Sequence, residues 1–195
     1  MCPLSMVPFL CLVVGLIAKV AMARSFLAPI PLVAEILNLK ECQGVPDNAM
    51  TFFGPNSSSM RGRGNYTFNA SFNITRTVKR ISEIRVEMTR CRDVVSSNTC
   101  EHFGNWRFQS DPCKVWMDPV APWGGLVKSI VEDYTCPTRV GTYHMRDAVL
   151  DMKVLQALHL PLEGAVWQNK AFFLESSGST HYCFKGTTVF RRVRA

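Results

Sequence analysis

Residues 65–75 alternate at every step, with polar side chains at odd positions and apolar side chains at even ones. This period of two predicts a half-buried β-strand. Asn65, Asn69 and Asn73 each begin an N-x-S/T sequon, and positions four apart on a strand share one face. Because a glycan cannot be buried, that face is predicted to point outward and to be glycosylated.

The apolar side chains of this strand are then predicted to point inward. They are Tyr66, Phe68, Ala70, Phe72 and Ile74. The pattern leaves open whether they face a packed core or a bound apolar ligand. A fourth sequon begins at Asn56, within a stretch (54–64) rich in Gly, Pro and Ser that predicts a loop.

The N-terminus predicts the cellular compartment. Leu4 to Ala18 form an almost unbroken apolar run, which is too short to span a bilayer comfortably. Ala21 and Ala23 supply the small residues that signal peptidase needs before its cut. We therefore predict a signal peptide at 1–23, one domain at 24–195, and secretion or delivery to the endosomal or lysosomal lumen. An uncleaved anchor is the alternative.

The predicted mature chain is basic. Removing 1–23 takes away one lysine and no acidic residue, which leaves 21 basic and 15 acidic residues, a formal charge of +6. Such a chain can meet acidic glycans, anionic lipid head groups or nucleic acid, and charge alone does not choose among them.

Six cysteines remain after the predicted signal peptide: Cys42, Cys91, Cys100, Cys113, Cys136 and Cys183. An even number without CxxC spacing predicts three disulfides rather than a metal site. Of the fifteen possible pairings, short loop-closing bridges Cys91–Cys100 and Cys113–Cys136 would leave Cys42 with Cys183. That last bridge would join the two ends of the domain.

Other segments extend the β-rich pattern. Strands are predicted at 84–88, 106–108, 115–117 and 142–145, an extended stretch at 149–155, and a hairpin from 165–174 and 180–190 through the loop Ser176–Ser179. Helical spacing of apolar residues follows the turn residues of 119–125, which predicts one short helix within 126–134. The predicted fold class is all-β, an antiparallel sandwich or cup with one short helix.

A further set of motifs carries a resemblance to a known family. It comprises CPTRVGTY at 136–143, LPLEG at 160–164, SSG at 176–178, YCFKG at 182–186 and, more loosely, FGNWRF at 103–108. The chain resembles the ganglioside-activator group of MD-two-related lipid-recognition proteins, including secreted arthropod members, some linked with chemosensation. The resemblance implies a β-cup with an apolar cavity and also implies the Cys42–Cys183 pairing.

On that resemblance we expect a lipid or another apolar small molecule in the cavity. The expected lipid-binding residues are Tyr66, Phe68, Phe72, Ile74, Val86, Met88, Trp167, Phe172 and Phe173, with Trp123, Leu126 and Ile130 as a mobile, exposed lip in an entrance at 119–134. The protein would present its ligand to a membrane surface, a lipid-processing enzyme or a receptor, with no nucleic-acid partner. The alternative is a secreted interaction or chemosensory protein with a filled core that acts on a receptor.

Catalytic signals are absent from the sequence. It has no GxSxG, no HExxH, no Gly-rich phosphate loop, and no cysteine left free by the predicted disulfides. The histidines, His102, His144, His159 and His181, are scattered along the chain. We therefore expect no enzyme activity, no cofactor and no metal.

Overall fold

Antiparallel strands form most of the fold in this computed structural model, which describes residues 30–61, 65–93, 95–96 and 98–193. The predicted signal peptide at 1–23 lies outside the described residues. The strands are β1 (Leu32–Glu41), β2 (Met50–Arg61), β3 (Asn65–Ile74), β4 (Ile81–Cys91), β5 (Cys100–Phe108), β6 (Gly141–Ala148), β7 (Val166–Glu175) and β8 (Thr180–Arg192). None of the helices in these ranges is long and apolar enough to span a bilayer.

The strands form two sheets. Sheet A has the order β1-β8-β7-β4-β5 and sheet B the order β2-β3-β6, with every neighbouring pair antiparallel. The predicted all-β sandwich is confirmed, as are the strand at 142–145 and the hairpin that forms β7 and β8. Gly178 takes a positive φ of 82° in the hairpin turn, a conformation that glycine adopts without steric cost.

The alternating strand is β3, and its predicted orientation is confirmed. Phe68, Phe72 and Ile74 are almost completely buried against the core, whereas Asn69 and Asn73 lie on the other face and are partly exposed. The side chain of Asn65 lies outside the described residues.

The predicted loop at 54–64 is wrong for most of its length. Ser57 to Arg61 pair with β3, opposite Asn69 to Asn65. The register shifts between Phe53 and Ser57, where Gly54 has a positive φ of 67°. An irregularity at Gly54 and Pro55 therefore interrupts one long strand, and pairing with β3 overrides the loop-like composition.

The helix prediction needs two corrections. The described residues contain three short helices, α1 (Pro112–Met117), α2 (Gly124–Lys128) and α3 (Met152–Ala157), instead of one. The predicted helix within 126–134 ends at Lys128, because Ile130 forms a β-bridge with Met145.

The other two helices replace predicted extended segments, and each begins at a capping aspartate. Asp111 accepts a hydrogen bond from the Lys114 N–H at the start of α1. Asp151 accepts from the N–H groups of Lys153 and Val154 at the start of α3. Both caps are ordinary helix-start signals in the sequence.

All three disulfides have the predicted pairing. Cys42 is bonded to Cys183, Cys91 to Cys100 and Cys113 to Cys136. Cys91 and Cys100 face each other across β4 and β5. The third bridge ties α1 to the segment before β6.

The inner face of sheet A carries two apolar clusters. The first lies between the sheets and includes Phe72 from β3 and Phe173 from β7. The second joins Trp167 and Phe190 of sheet A to half-buried apolar residues of α3 and the loop after it. Sheet B thus covers one part of the inner face of sheet A, and α3 with its loop covers another.

The two sheets are arranged like a wedge. At one edge β1 lies beside β2 and β3, so the sheets are close together. On the other side α1 contacts β4, α2 contacts β6, and the two helices contact each other. The sandwich is therefore closed by strands at one edge and bridged by short helices at the opposite edge.

Candidate apolar site

The structure distributes the predicted lipid-binding residues over several environments. Phe68, Phe72, Ile74 and Phe173 are buried in the first cluster, Met88 and Trp167 are buried in the second, and Val86 touches both. Trp123, Leu126 and Ile130 are half-buried against the first cluster. Tyr66 is half-buried near the start of β3.

Phe172 is the residue that the sequence analysis placed wrongly. It pairs with Arg85 and Cys183 on the outer face of sheet A, whereas Phe173 points into the core and is 0% exposed. Neighbouring side chains on a strand point to opposite faces, so the two phenylalanines cannot both line one interior.

Around Phe173 the interior is filled by aromatic rings. The Phe173 ring stacks on Tyr182 with centroids 4.3 Å apart and meets the edge of Trp116 at 4.9 Å. On the sheet B side, the Phe72 and Tyr143 rings stack at 5.3 Å. These distances are typical of favourable ring pairs in a packed core.

Towards β5 the inner face of sheet A becomes less covered. Trp106 lies there, and the sequence analysis did not include it among the lipid-binding residues. Trp106 lies opposite Val86 and therefore shares its inward face, yet 37% of Trp106 is exposed. Gly104 pairs with Met88 on the same face, and a Cβ atom added at Gly104 would meet no atom within 4 Å. The inner face of β5 is consequently open beside Trp106.

Four side chains lie on or next to this open face, and we call them the apolar mouth: Val86, Trp106, Phe108 and Trp123. The rings of Phe108 and Trp123 are 5.9 Å apart. Phe108 is two residues from Trp106 and shares its face of β5. The alternation of Gly104, Trp106 and Phe108 was the signal in the sequence that pointed to this face.

Trp123 is fixed in place rather than exposed as a lip. Its ring stacks on Trp116 at 5.8 Å, and its indole N–H donates to the Trp116 carbonyl oxygen at 3.0 Å. The prediction of an exposed Trp123 is therefore wrong.

The chain that follows Trp123 is anchored as well. The Val131 N–H donates to the His144 carbonyl oxygen at 2.9 Å, and the Arg146 N–H donates to the Ser129 carbonyl oxygen at 3.0 Å. A Cβ atom at Gly125 would collide with the Val149 carbonyl oxygen, so α2 approaches that backbone more closely than any larger residue permits.

Three exposed valines lie in or beside the predicted entrance. Val120 is 69% exposed in the turn before α2, Val131 is 58% exposed after α2, and Val149, beside Gly125, is 43% exposed. Aliphatic side chains, and not Trp123, therefore form the exposed apolar surface near the predicted entrance.

A second concavity has a mixed lining of polar and small apolar residues. It has a volume of about 980 Å³ and lies between the loop 44–48, Thr75, Arg76 and the hairpin residues Ser179 and Thr180. None of the predicted lipid-binding residues borders it.

His181 lies in the same region and is 0% exposed, with its Nδ1 3.4 Å from a Glu175 carboxylate oxygen. Burial lowers the pKa of His181, and the nearby positive charge of Arg76 lowers this pKa further. Arg76 donates a hydrogen bond to Glu175 at 2.5 Å, and this bond holds the pKa of the Glu175 carboxyl below its ordinary value. The folded protein thus favours a neutral His181 beside an ionised Glu175.

The described sequons differ in the environment of their side-chain amide. Asn69 accepts from the Asp147 N–H through Oδ1, and Asn73 accepts from the Thr142 hydroxyl in the same way. Asn56 instead donates from Nδ2, the glycan attachment atom, to the Leu39 carbonyl oxygen at 2.8 Å. This geometry disfavours a glycan at Asn56, while glycosylation of the other sequons stays a prediction.

No protein-family model matches the chain, and no curated protein matches it at a significant level. The resemblance to lipid-recognition proteins therefore stays a prediction. Among the described residues, no group of three or more His, Cys, Asp or Glu side chains is placed to hold a metal ion.

Proposed function

We propose that this is a secreted, glycosylated protein that binds a lipid or similar apolar molecule at the apolar mouth and transfers it to a membrane, enzyme or receptor. The observation that carries the proposal is Trp106, a large aromatic side chain that points to the inner face of sheet A but remains 37% exposed. An inward-facing tryptophan is usually covered by its own fold, so its exposure marks apolar surface available to a ligand.

The wedge shape supports the same function. Because short helices rather than strands bridge this side of the sandwich, apolar side chains there are only half-buried, including Met117, Leu126 and Leu150. An acyl chain seated against them would gain about 0.8 kcal/mol for each buried methylene. About ten buried methylenes would contribute about 8 kcal/mol, which exceeds the lower range of the association cost of about 4 kcal/mol.

The disulfides favour an oxidising compartment such as the extracellular space, the endosome or the lysosome. A protein working there meets lipids in membranes, from which a long acyl chain leaves slowly because its apolar surface must enter water. A transfer protein would cover the apolar surface of the acyl chain and so allow the lipid to leave the membrane faster.

Native mass spectrometry of the protein purified from a secretory host tests binding directly. We expect a co-purifying mass in the lipid range, and we expect Trp106→Ala to lower the affinity for a fluorescent fatty acid about tenfold. Phe172→Ala is the matched control, because it removes an aromatic side chain from the outer face of the same sheet. Equal affinities for both variants would contradict the mouth as the site.

The alternative function, a cystine-bonded interaction protein with a filled core, is favoured by the ring contacts around Phe173. Two measurements distinguish the functions. A filled core predicts no co-purifying lipid, and it predicts the same tryptophan fluorescence response to lipid vesicles in the natural protein and in Trp106→Ala.

A further inference from the structure

We infer that the outer face of sheet A binds a sulfated, linear polysaccharide, with three lysines as the central contact. This site lies on the opposite face of the sheet from the apolar mouth. The charge arrangement stands without the proposed lipid binding, and the choice of a polysaccharide over a membrane rests on it. The three residues, Lys40, Lys170 and Lys185, are called the lysine row below.

The register of the strands defines the lysine row. Lys185 of β8 lies directly opposite Lys40 of β1 on one side and Lys170 of β7 on the other. The neighbouring pair of Ala171 and Phe184 belongs to the first apolar cluster, so the lysines point to the outer face. With strands about 4.8 Å apart, the three side chains leave the sheet within about 10 Å of one another.

The arrangement is electrostatically unfavourable for the protein alone. Like charges directly opposite on neighbouring strands destabilise a sheet. Glu87 lies opposite Lys170, but no lysine of the row forms an ion pair in the described part of the chain. A bound anion would remove the repulsion between the lysines.

Two arginines extend the positive charge along the sheet. Arg85 of β4 lies opposite Arg107 of β5. Arg85 is two residues from Glu87 on β4, so both arginines share the outer face of the sheet. Arg85 is bridged to Glu83 at 2.9 Å, while Arg107 is exposed. Positive side chains thus occur on all five strands of this face, with Glu87 beside Lys170 and Arg85 paired with Glu83 on β4. Several separated positive groups suit a chain that carries repeated anionic groups.

The position of this face favours a polysaccharide over a membrane. Phospholipid head groups bound to the lysine row would turn the apolar mouth, on the other face, away from the bilayer. The predicted sequons at Asn69 and Asn73 lie on the outer face of sheet B, which points in the opposite direction, so glycans there would leave the lysine row accessible. In an oxidising, extracellular compartment, sulfated polysaccharides are the linear polyanions that fit this chemistry.

The test is binding of the full secreted protein to a heparin oligosaccharide at several salt concentrations. The test variant is Lys40→Gln/Lys170→Gln/Lys185→Gln. The control variant is Lys79→Gln/Lys114→Gln/Lys153→Gln, which removes the same charge from exposed lysines outside sheet A. We expect the test variant to bind at least about tenfold more weakly near physiological salt, and the slope of log affinity against log salt to fall by about 3, as counterion release predicts.

The control variant should keep most of its affinity, and desulfated heparin should bind the natural protein weakly. Lys185→Gln alone should lower the salt slope by about 1, which keeps the inference testable if the triple variant folds poorly. Equal losses in the two triple variants would show a diffuse charge effect and overturn the site. Equally tight binding of single-stranded DNA, or loss of binding to phosphatidylserine vesicles in the test variant, would overturn the assignment to a polysaccharide.

Discussion

The indole N–H of Trp123 donates to the carbonyl oxygen of Trp116, and the two rings stack with their planes 19° apart. This pair joins the chain before α2 to α1 and orients Trp123 towards Phe108. Trp123→Ala is therefore expected to lower the free energy of unfolding by about 2 kcal/mol, less than for a fully buried tryptophan. Chemical denaturation measures the loss.

The same Trp123→Ala variant should also slow lipid transfer between vesicles, because it removes one wall of the apolar mouth. Val120→Ala is the matched control, since Val120 is exposed in the neighbouring turn and should leave stability within about 0.5 kcal/mol. An unchanged transfer rate in a destabilised Trp123→Ala protein would assign this tryptophan to the core alone.

Removing the Cys42–Cys183 bridge should destabilise the protein most among the three disulfides. It closes a sequence separation of 141 residues, against 9 for Cys91–Cys100. Restriction of the unfolded chain gives about 5 kcal/mol for the long loop and about 2.5 kcal/mol for the short one. Denaturation of the two double Cys→Ser variants measures the difference, and a larger loss for the short loop would contradict this explanation.

Glycan occupancy should follow the hydrogen bonding of the asparagine side chains. Asn69 and Asn73 are engaged through Oδ1 and should carry glycans, whereas Asn56 uses Nδ2 in a bond to the backbone and should remain unmodified. Glycopeptide mapping of protein from a secretory host checks each position. High glycan occupancy at Asn56 would contradict this explanation. It would mean that the Asn56 side chain does not donate to the Leu39 carbonyl oxygen when the glycan is attached.

Acid should destabilise the protein through His181. Burial keeps the pKa of His181 below its ordinary value of 6.5, so the unfolded chain takes up this proton at a higher pH than the folded protein. The stabilisation is complete above pH 6.5 and is lost as the pH falls from there towards the folded pKa.

The melting temperature should therefore fall between about pH 7.5 and about pH 5, and His181→Gln should reduce this dependence. The lowered pKa of Glu175 acts in a more acidic range, below 4.5, and so does not mask the effect. His102→Gln, an exposed control on β5, should keep the natural pH dependence. Identical pH profiles for the natural protein and His181→Gln would rule out His181 as the source.

Local sequence pattern was sufficient to predict a strand and its orientation where the segment has one exposed and one buried side. The alternation of 65–75 predicted both β3 and its inward face, because period two is a property of any strand that lies on a core. The cysteine pairing was also accessible, since loop lengths favoured two short bridges and left Cys42 with Cys183. Asp111 and Asp151 were readable helix caps that the sequence analysis did not use.

Tertiary contacts decided the secondary structure of two segments that short-range sequence pattern did not predict. The segment from Ser57 to Arg61 is a strand because β3 supplies partners for its backbone, and α2 ends early because Ile130 is drawn into a bridge with Met145.

The candidate sites depend on register and on sheet arrangement. Nothing in the sequence around Lys40, Lys170 and Lys185 places them in one row, because the residues are far apart in the chain and meet only through the pairing of β1, β8 and β7. The exposure of Trp106 likewise depends on how far sheet B covers sheet A. For β3 the sequence by itself determined which side chains turn inward, and the packing of the two sheets decided which inward-facing side chains are covered.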